Sequence, residues 1–450
     1  MSFKKGFAWG VATASYQNEG AFNEDGRGLT VWDVYTHHPG NVSDGSNGDV
    51  ACDHYHRFRE DIKLMKELGI PAYRFSICWS RLFPKGYGEF NPKGAQFYSD
   101  LIDELLANGI EPYVTLFHWD YPYELYKQGG WLNDASVRWF ADYAAKVVEL
   151  YSDRVKYFIT INEPQCFIGQ GYGNGIHAPG LKLPLEDILQ MAHNVMKAHG
   201  AAVIAMRKAA KQPIKIGYAP TCSAVEPKTQ SAEDIEAARK LYFSCPPVDA
   251  SNVMWNVSWW SDPVLLGCYP QEGLEKYRDY LPKITDEDMA LIHQPIDFYG
   301  QNIYNTRLAE ADVNGNPRLL SRQPGAPLNA LKWSVSPGCL YWGPKFLYER
   351  YGLPIVITEN GMACHDTVSL DGKVHDPNRI DFLHRYLMEL ERVADDGVPV
   401  EGYFLWSFMD NFEWSIGYTC RMGIVYTDFE TQERIPKDSA YWYKNWIETH

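Results

Sequence analysis

Eight short apolar, β-prone runs recur along the chain with helical patterns between them, and this alternation constrains the fold more than any other feature. The candidate strands cover residues 7–13, 72–78, 111–117, 156–162, 215–219, 297–302, 354–358 and 402–408. Between them, Ile62, Met65 and Leu68 run up to Gly69, while Phe97, Leu101, Leu105 and Leu106 run up to Asn108 and Gly109. That spacing is helical, and each glycine is a stop signal. Further helical stretches cover 137–150, 185–208, 340–351, 378–395 and 440–448. Strands that are apolar on both faces need helices on both sides, which parallel strands joined by helices provide. Repeated eight times, the unit closes into an α/β fold, a single (β/α)8 TIM barrel. The fifth-to-sixth spacer is long, and residues 312–317 (DVNGNP) read as a hairpin tip in an excursion after the sixth strand. At about 150 residues per domain the 450 residues would suit three domains. No low-complexity linker breaks the series, so residues 1–450 are read as one barrel domain with elaborated βα loops. An open doubly wound sheet is the alternative, but no G-x-G-x-x-G turn supports a dinucleotide site in it.

Charge narrows the partners. With 42 Lys+Arg against 57 Asp+Glu the net charge is −15, which argues against nucleic acid and anionic membranes. No window reaches 18 apolar residues, and the opening MSFKKGFAWG lacks the apolar stretch of a signal peptide, so a cytoplasmic setting is expected. The nine cysteines are scattered without a C-x-x-C pair and read as free thiols in a reducing compartment. His54, His56 and Asp53 are metal-ligating types. On an extended segment, however, alternate side chains point opposite ways, so structural hydrogen bonding is preferred there, and Cys364-His365 is read as incidental.

A barrel demands that catalytic residues sit where strands end. Two glutamates do: Tyr157 to Asn162 runs into Glu163 and Pro164, and Ile355 to Thr358 runs into Glu359, Asn360 and Gly361. The fourth and seventh strands face each other across an eight-strand ring, so both carboxylates can meet over one pocket. Such a pair is the equipment for breaking a glycosidic bond, one group as proton donor and the other as nucleophile or base. Asn162 adds an amide suited to a sugar hydroxyl.

Three motifs now converge. Phe7-Ala8-Trp9-Gly10-Val11-Ala12-Thr13-Ala14-Ser15-Tyr16-Gln17-Asn18-Glu19-Gly20, Thr160-Ile161-Asn162-Glu163-Pro164 and Ile357-Thr358-Glu359-Asn360-Gly361 resemble, in order, the N-terminal signature, the T-x-N-E-P motif and the I-T-E-N-G motif of glycoside hydrolase family 1, the β-glucosidase family. The resemblance spans essentially the whole chain and implies a (β/α)8 barrel and a retaining mechanism. By motif, Glu163 is the acid/base and Glu359 the nucleophile. Glu359 must be ionised at rest, so a cation should hold its pKa down, and the resemblance places Arg74 there; a buried structural ion pair is the competing reading. Tyr304, after Asn302 and Ile303, resembles the tyrosine that hydrogen-bonds the nucleophile, and Asn302 is grouped with the catalytic set. The resemblance assigns substrate contacts to Gln17, His118, Asn162, Glu413 and Trp414, sets Trp406 under the sugar ring, Trp119 along the site and Trp333 on the aglycone side. Aromatic platforms suit pyranose C–H faces. Asn18 and Ile303 depart from the family pattern, which usually has an apolar residue and an aromatic there.

The expected activity is retaining hydrolysis of terminal non-reducing β-D-glucosyl residues from cellobiose, short cello-oligosaccharides and aryl β-glucosides. No cofactor and no metal are expected. The partner is the small-molecule substrate, with no nucleic acid and no membrane, and oligomeric state is left open, a homo-oligomer included. Two rivals remain. A 6-phospho-β-glucosidase would exchange Glu413 for phosphate-binding groups, and the charge of Glu413 would repel a phosphate. A non-catalytic sugar-binding barrel would have lost one of the two glutamates.

Overall fold

The computed structural model describes residues 3–450, so Met1 and Ser2, at the start of the segment read for a leader, lie outside the described residues. Eight parallel strands form a closed barrel: β1 (Ala8–Ala12), β2 (Ala72–Ser76), β3 (Glu111–Phe117), β4 (Tyr157–Asn162), β5 (Lys215–Ala219), β6 (Phe298–Asn302), β7 (Ile355–Asn360) and β8 (Val400–Trp406). Neighbours pair in chain order, and β1 closes the ring on β8 from Ala8↔Gly402 to Ala12↔Trp406. The eight expected runs are these eight strands, with ends shifted by one or two residues. One shift matters: β7 continues through Glu359 to Asn360, so this glutamate lies within its strand and not beyond it.

The strands alternate between two cores. Ala12, Ile159, Phe298 and Val356 point into the barrel, while their neighbours Val11, Phe158, Tyr299 and Ile355 pack outward against the helices. This is the period-two alternation of a sheet buried on both faces. At the lower end the interior is plugged by Tyr113, stacked on Tyr157 at 4.2 Å and tilted against Phe404 at 4.6 Å. Gly217 makes room for that layer, since a Cβ there would lie 2.2 Å from the Phe298 ring. The plug leaves the opposite end of the barrel to hold a pocket.

Helices Pro92–Ala107, Ala135–Tyr151, Leu185–Ala209, Cys339–Tyr351, Pro377–Asp395 and Asp438–Thr449 cover the ring. The helix Pro92–Ala107 starts with proline in its first turn and the Asn91 side chain accepting from Lys93 N. It ends as Gly109 takes a φ of +75° and its N–H reaches Leu106 O. The long spacer between β5 and β6 holds a strand, Ala224–Pro227, and several helices, among them Ala232–Phe243 and Ser258–Leu265. Ala224–Pro227 pairs with Thr306–Ala311, which turns back antiparallel onto Pro317–Leu319. The turn is the DVNGNP segment, its tip held by Asp312 accepting from Asn314 N and Asn316 N.

One local expectation is corrected. His54 and His56 stand in the first turn of a helix, His54–Glu67, and not on an extended segment; Asp53, at a φ of +50°, turns the chain into it. His54 Nδ1 lies 2.7 Å from Asp61 Oδ2, and His56 lies between Asp53 and Glu24. The two rings are thus committed to different carboxylates. Among the described residues no helix is long and apolar enough to cross a membrane.

Candidate active site

The residues at the upper rim are held in geometries that ordinary strands and helices do not supply. Glu163, Trp119 and Trp414 all adopt left-handed backbone, with φ of +45°, +77° and +52°. Non-glycine residues there cost about 1–3 kcal/mol each and persist only where surrounding contacts fix them. For Glu163 the fixing contact is its N–H on Ala219 O at 2.8 Å, one strand over. The chain then enters a π-helical segment, Gln165–Gly173, a form concentrated at functional sites.

Glu359 is held by two donors, the Arg74 Nη1 on Oε1 at 2.7 Å and the Tyr304 hydroxyl on Oε2 at 2.7 Å. Arg74 is fully buried and spreads its other N–H groups over Thr115 Oγ1, Thr358 O and Asn162 Oδ1, which fixes the guanidinium plane. Glu163 has weaker company. Asn302 Nδ2 donates to its Oε1 at 2.9 Å, and the Cys166 thiol donates to its Oε2 at 3.2 Å. Asn302 also donates to Asn162 Oδ1 at 3.0 Å and accepts from Thr358 Oγ1 at 2.6 Å, tying β4, β6 and β7 together behind the two glutamates.

These surroundings set the protons. Burial first, and the Glu359 charge second, push Glu163 up to about 7. Burial also raises Glu359, against Arg74 and the Tyr304 hydroxyl, which lower it. The expectation of a depressed Glu359 is therefore corrected: the cation is in place, but dehydration of a fully enclosed carboxylate outweighs it. The shared proton still belongs on Glu163, which has an amide and a thiol where Glu359 has a guanidinium. Glu413 is pushed up to about 8 by burial and by the Glu359 and Glu163 charges. That rise weakens the expectation that the Glu413 charge alone repels a phosphate; the Glu359 carboxylate disfavours one there as well. Burial and Arg74 hold His118 well below its ordinary value, leaving a neutral ring.

A cavity of about 460 Å³ opens over these groups. His118, Trp119, Glu163, Tyr304, Trp333, Glu359, Trp406, Glu413 and Trp414 line it. Trp119 packs on Trp414 at 4.5 Å, Trp406 stacks with His118 at 5.7 Å, and Trp333 packs on Tyr304 at 5.1 Å. Gln17, Arg74, Asn162 and Asn302 stand behind this lining and hold it. Asn162 accepts from Arg74 and Asn302, lies 3.2 Å from His118 Nε2 and accepts at its backbone carbonyl from Trp119 Nε1. Gln17 donates to Asn411 Oδ1 and Phe412 O. Two buried polar atoms, Gln17 Oε1 and His118 Nδ1, lack any partner among the described residues. Buried polar atoms are seldom left so, and an acceptor and a ring nitrogen beside an aromatic-walled cavity fit hydroxyl groups.

The departures at Asn18 and Ile303 both lie in the packing. Asn18 reaches Tyr73, and Ile303 is fully buried against the helix that carries Gly343.

Residues 1–450 match the profile of Glycosyl hydrolase family 1. The chain belongs to that family.

As a family 1 glycosidase it has curated relatives of equal length. It is 44% identical over 450 residues to a 1,4-beta-D-glucan glucohydrolase of Thermotoga neapolitana, covering 100% of this chain and 98% of that one. It is 43% identical over 462 residues to Beta-glucosidase A of Acetivibrio thermocellus, covering 100% and 99%. The beta-glucosidase of Thermotoga maritima, solved in complex with glucoimidazole, superposes with a TM-score of 0.90 at 43% identity over 99% of this chain and 98% of that one.

Sequence reasoning missed Cys166, and with it Gln170, His177, Trp255 and Arg307 in the wall of this glycosidase cavity. Cys166 stands three residues after Glu163, so its proximity was open to notice. The π-helical turn that aims its sulfur at Glu163 Oε2 leaves no periodic signature.

Proposed function

We propose that the protein is a retaining β-glucosidase that removes terminal non-reducing β-D-glucosyl residues from cellobiose, short cello-oligosaccharides and aryl β-glucosides. The observation that carries the reading is the inequality of the two glutamates: one meets a guanidinium and a phenol, the other is raised to about 7 beside an amide and a thiol. In the first step Glu359 attacks the anomeric carbon, the bond to the leaving oxygen breaks, and Glu163 gives that oxygen its proton. The glycosyl ester has no charge at Glu359, so Glu163 loses one of its two reasons to stay protonated. In the second step Glu163 takes a proton from water, the water oxygen attacks the anomeric carbon, and Glu359 leaves as the carboxylate. Two inversions give net retention.

Tyr304 and Arg74 aim and stabilise the attacking carboxylate. Gln17, His118, Asn162, Glu413 and Trp414 read the glycone hydroxyls, Trp406 supports the ring, Trp119 lines the site, and Trp333 borders the leaving group. Asn302 orients Glu163. A protonated Glu413 suits this role as well as an ionised one, since it offers one donor and one acceptor to a sugar edge. The T. maritima enzyme has been solved with deoxynojirimycin and with a galacto-hydroximolactam, which supports a glycone site for glucose that also tolerates an axial O4.

Hydrolysis of p-nitrophenyl β-glucoside by the wild type and by Glu359→Gln tests the reading, with the first-formed anomer followed by proton NMR. Loss of about 10⁴-fold or more in the variant and initial release of the β-anomer are expected. Equal rates, or initial release of the α-anomer, overturn it.

A further inference from the structure

A second cavity, of about 790 Å³, lies beside the first, between the β5–β6 excursion and the hairpin that follows β6. The two share four lining residues, Cys222, Ser223, Trp255 and Arg307, so they adjoin. The dividing wall is anchored to the site itself, because Thr221 Oγ1 donates to Asn302 O at 3.1 Å immediately before Cys222 and Ser223. Across the mouth, Arg307 stands three residues beyond Tyr304 and pairs in register with Val225. Three residues span at most about 10 Å, and Arg307 lines both cavities, so a group bound there stays within reach of the first one. Trp255 provides an aromatic surface along the way.

The charge of this cavity runs against that of the chain. Lys276 is neutralised, with its Nζ 2.6 Å from both Glu272 Oε1 and Cys245 O. Lys240 has its carboxylate partner, Glu236, only at 3.9 Å. The Arg307 guanidinium makes no hydrogen bond and no ion pair among the described residues. One cation, Arg307, thus remains unpaired and a second, Lys240, only loosely paired, in a chain of net charge −15 and next to a pocket holding Glu163, Glu359 and Glu413. A volume in the range that encloses a drug-sized ligand, an aromatic wall and an unpaired arginine suit an organic anion.

We propose that this second cavity binds the far end of a leaving group that is longer than one sugar and carries a carboxylate, with Arg307 as its counter-charge. The proposal rests on the β-glucosidase reading and adds a substrate class to it. The Glu359 carboxylate repels an anion, so the same field sets which end of such a substrate enters first.

The test compares cellotriose with its aldonic acid, in which the reducing-end glucose is oxidised to gluconate, by kcat/KM for glucose release at low ionic strength. The aldonate should be favoured about five-fold, the worth of one partly shielded ion pair. Arg307→Gln should bring the ratio to about one, Arg307→Lys should keep most of it, and high salt should erase it. A wild-type ratio of one or below, or a ratio unchanged in Arg307→Gln, overturns the proposal. Release of glucose from neutral cellotriose without preference sinks only the second site, whereas no release from either trisaccharide or from p-nitrophenyl β-glucoside sinks the β-glucosidase reading itself.

Discussion

Removing the charge of Glu359 should acidify Glu163, and the size of the effect follows from the site. Glu163 rises from 4.5 to about 7, with burial as the larger cause and the Glu359 charge as the second. Two carboxylates of a retaining pair lie about 5 Å apart, and a unit charge at that range in an effective dielectric of about 20 is worth about 3 kcal/mol, or about two pH units. Arg74 stays in place when Glu359 becomes glutamine, and its released positive charge acts in the same direction. Burial remains, so the full rise is not recovered. In Glu359→Gln, Glu163 should titrate at least about one pH unit lower than in the wild type. Carbon-13 NMR of protein labelled at the glutamate carboxyl measures it, with the Glu163 signal assigned by its absence in Glu163→Gln. The amide substitution imitates the neutral ester of the glycosyl-enzyme, so the same shift converts Glu163 from acid to base in mid-cycle. A Glu163 that titrates near 7 in both proteins would mean that burial alone raises it, and the electrostatic account of its change of role would be wrong.

Tyr304→Phe removes the hydroxyl from Glu359 Oε2 and should lower kcat by about 10- to 100-fold, the worth of a hydrogen bond to a charged group, while circular dichroism stays unchanged. A loss confined to KM would assign the phenol to substrate binding instead. Cys166→Val deletes a donor to the ionised form of Glu163. Its pKa, and with it the basic limb of the kcat/KM profile, should move upward by about half a pH unit, and Cys166→Ser should restore it; a limb that stays put or falls refutes the contact. His199 is fully buried, bonds Thr160 Oγ1 at 2.8 Å and is held down to about 3 by burial. Its folded value lies below its ordinary 6.5, so the stability tied to its neutral form is present above pH 6.5 and drains away as pH falls toward 3. Between pH 7 and 5 that loss is about 2 kcal/mol, which His199→Gln should escape when urea unfolding is measured at both values; equal losses in the two proteins would place the acid sensitivity elsewhere.

The barrel was legible because a buried parallel strand writes itself locally: each of the eight runs carries its own apolar residues, and Gly69 and Gly109 stop their helices where the chain says they should. The hairpin of 312–317 was readable for the same reason, since Asp312, Asn314 and Gly315 carry their turn chemistry with them. The His54–Glu67 helix start was not. It depends on Asp53 adopting left-handed backbone, which nothing in the residue types requires. The π-helical turn after Glu163 escaped too, because it answers to packing around the site and not to a period of its own.

Proton positions escaped for a deeper reason. Glu163, Glu359 and Glu413 are separated by long stretches of chain, and each would be an ordinary carboxylate alone. Brought to one cavity they are no longer independent: on top of burial, the Glu359 charge raises Glu163 and Glu413, and the Glu163 charge raises Glu413. The net charge of −15 carries no trace of this, and neither does any motif. What the motifs do carry is the asymmetry that resolves it: Arg74 in β2 and Tyr304 after β6 both converge on Glu359, leaving Asn302 and Cys166 to Glu163. The Glu359 charge thereby raises Glu163 and Glu413 together, so in the proposed reaction recognition of the glycone and supply of the catalytic proton draw on one electrostatic arrangement. Any group that neutralises Glu359, as the glycosyl ester does, acts on both.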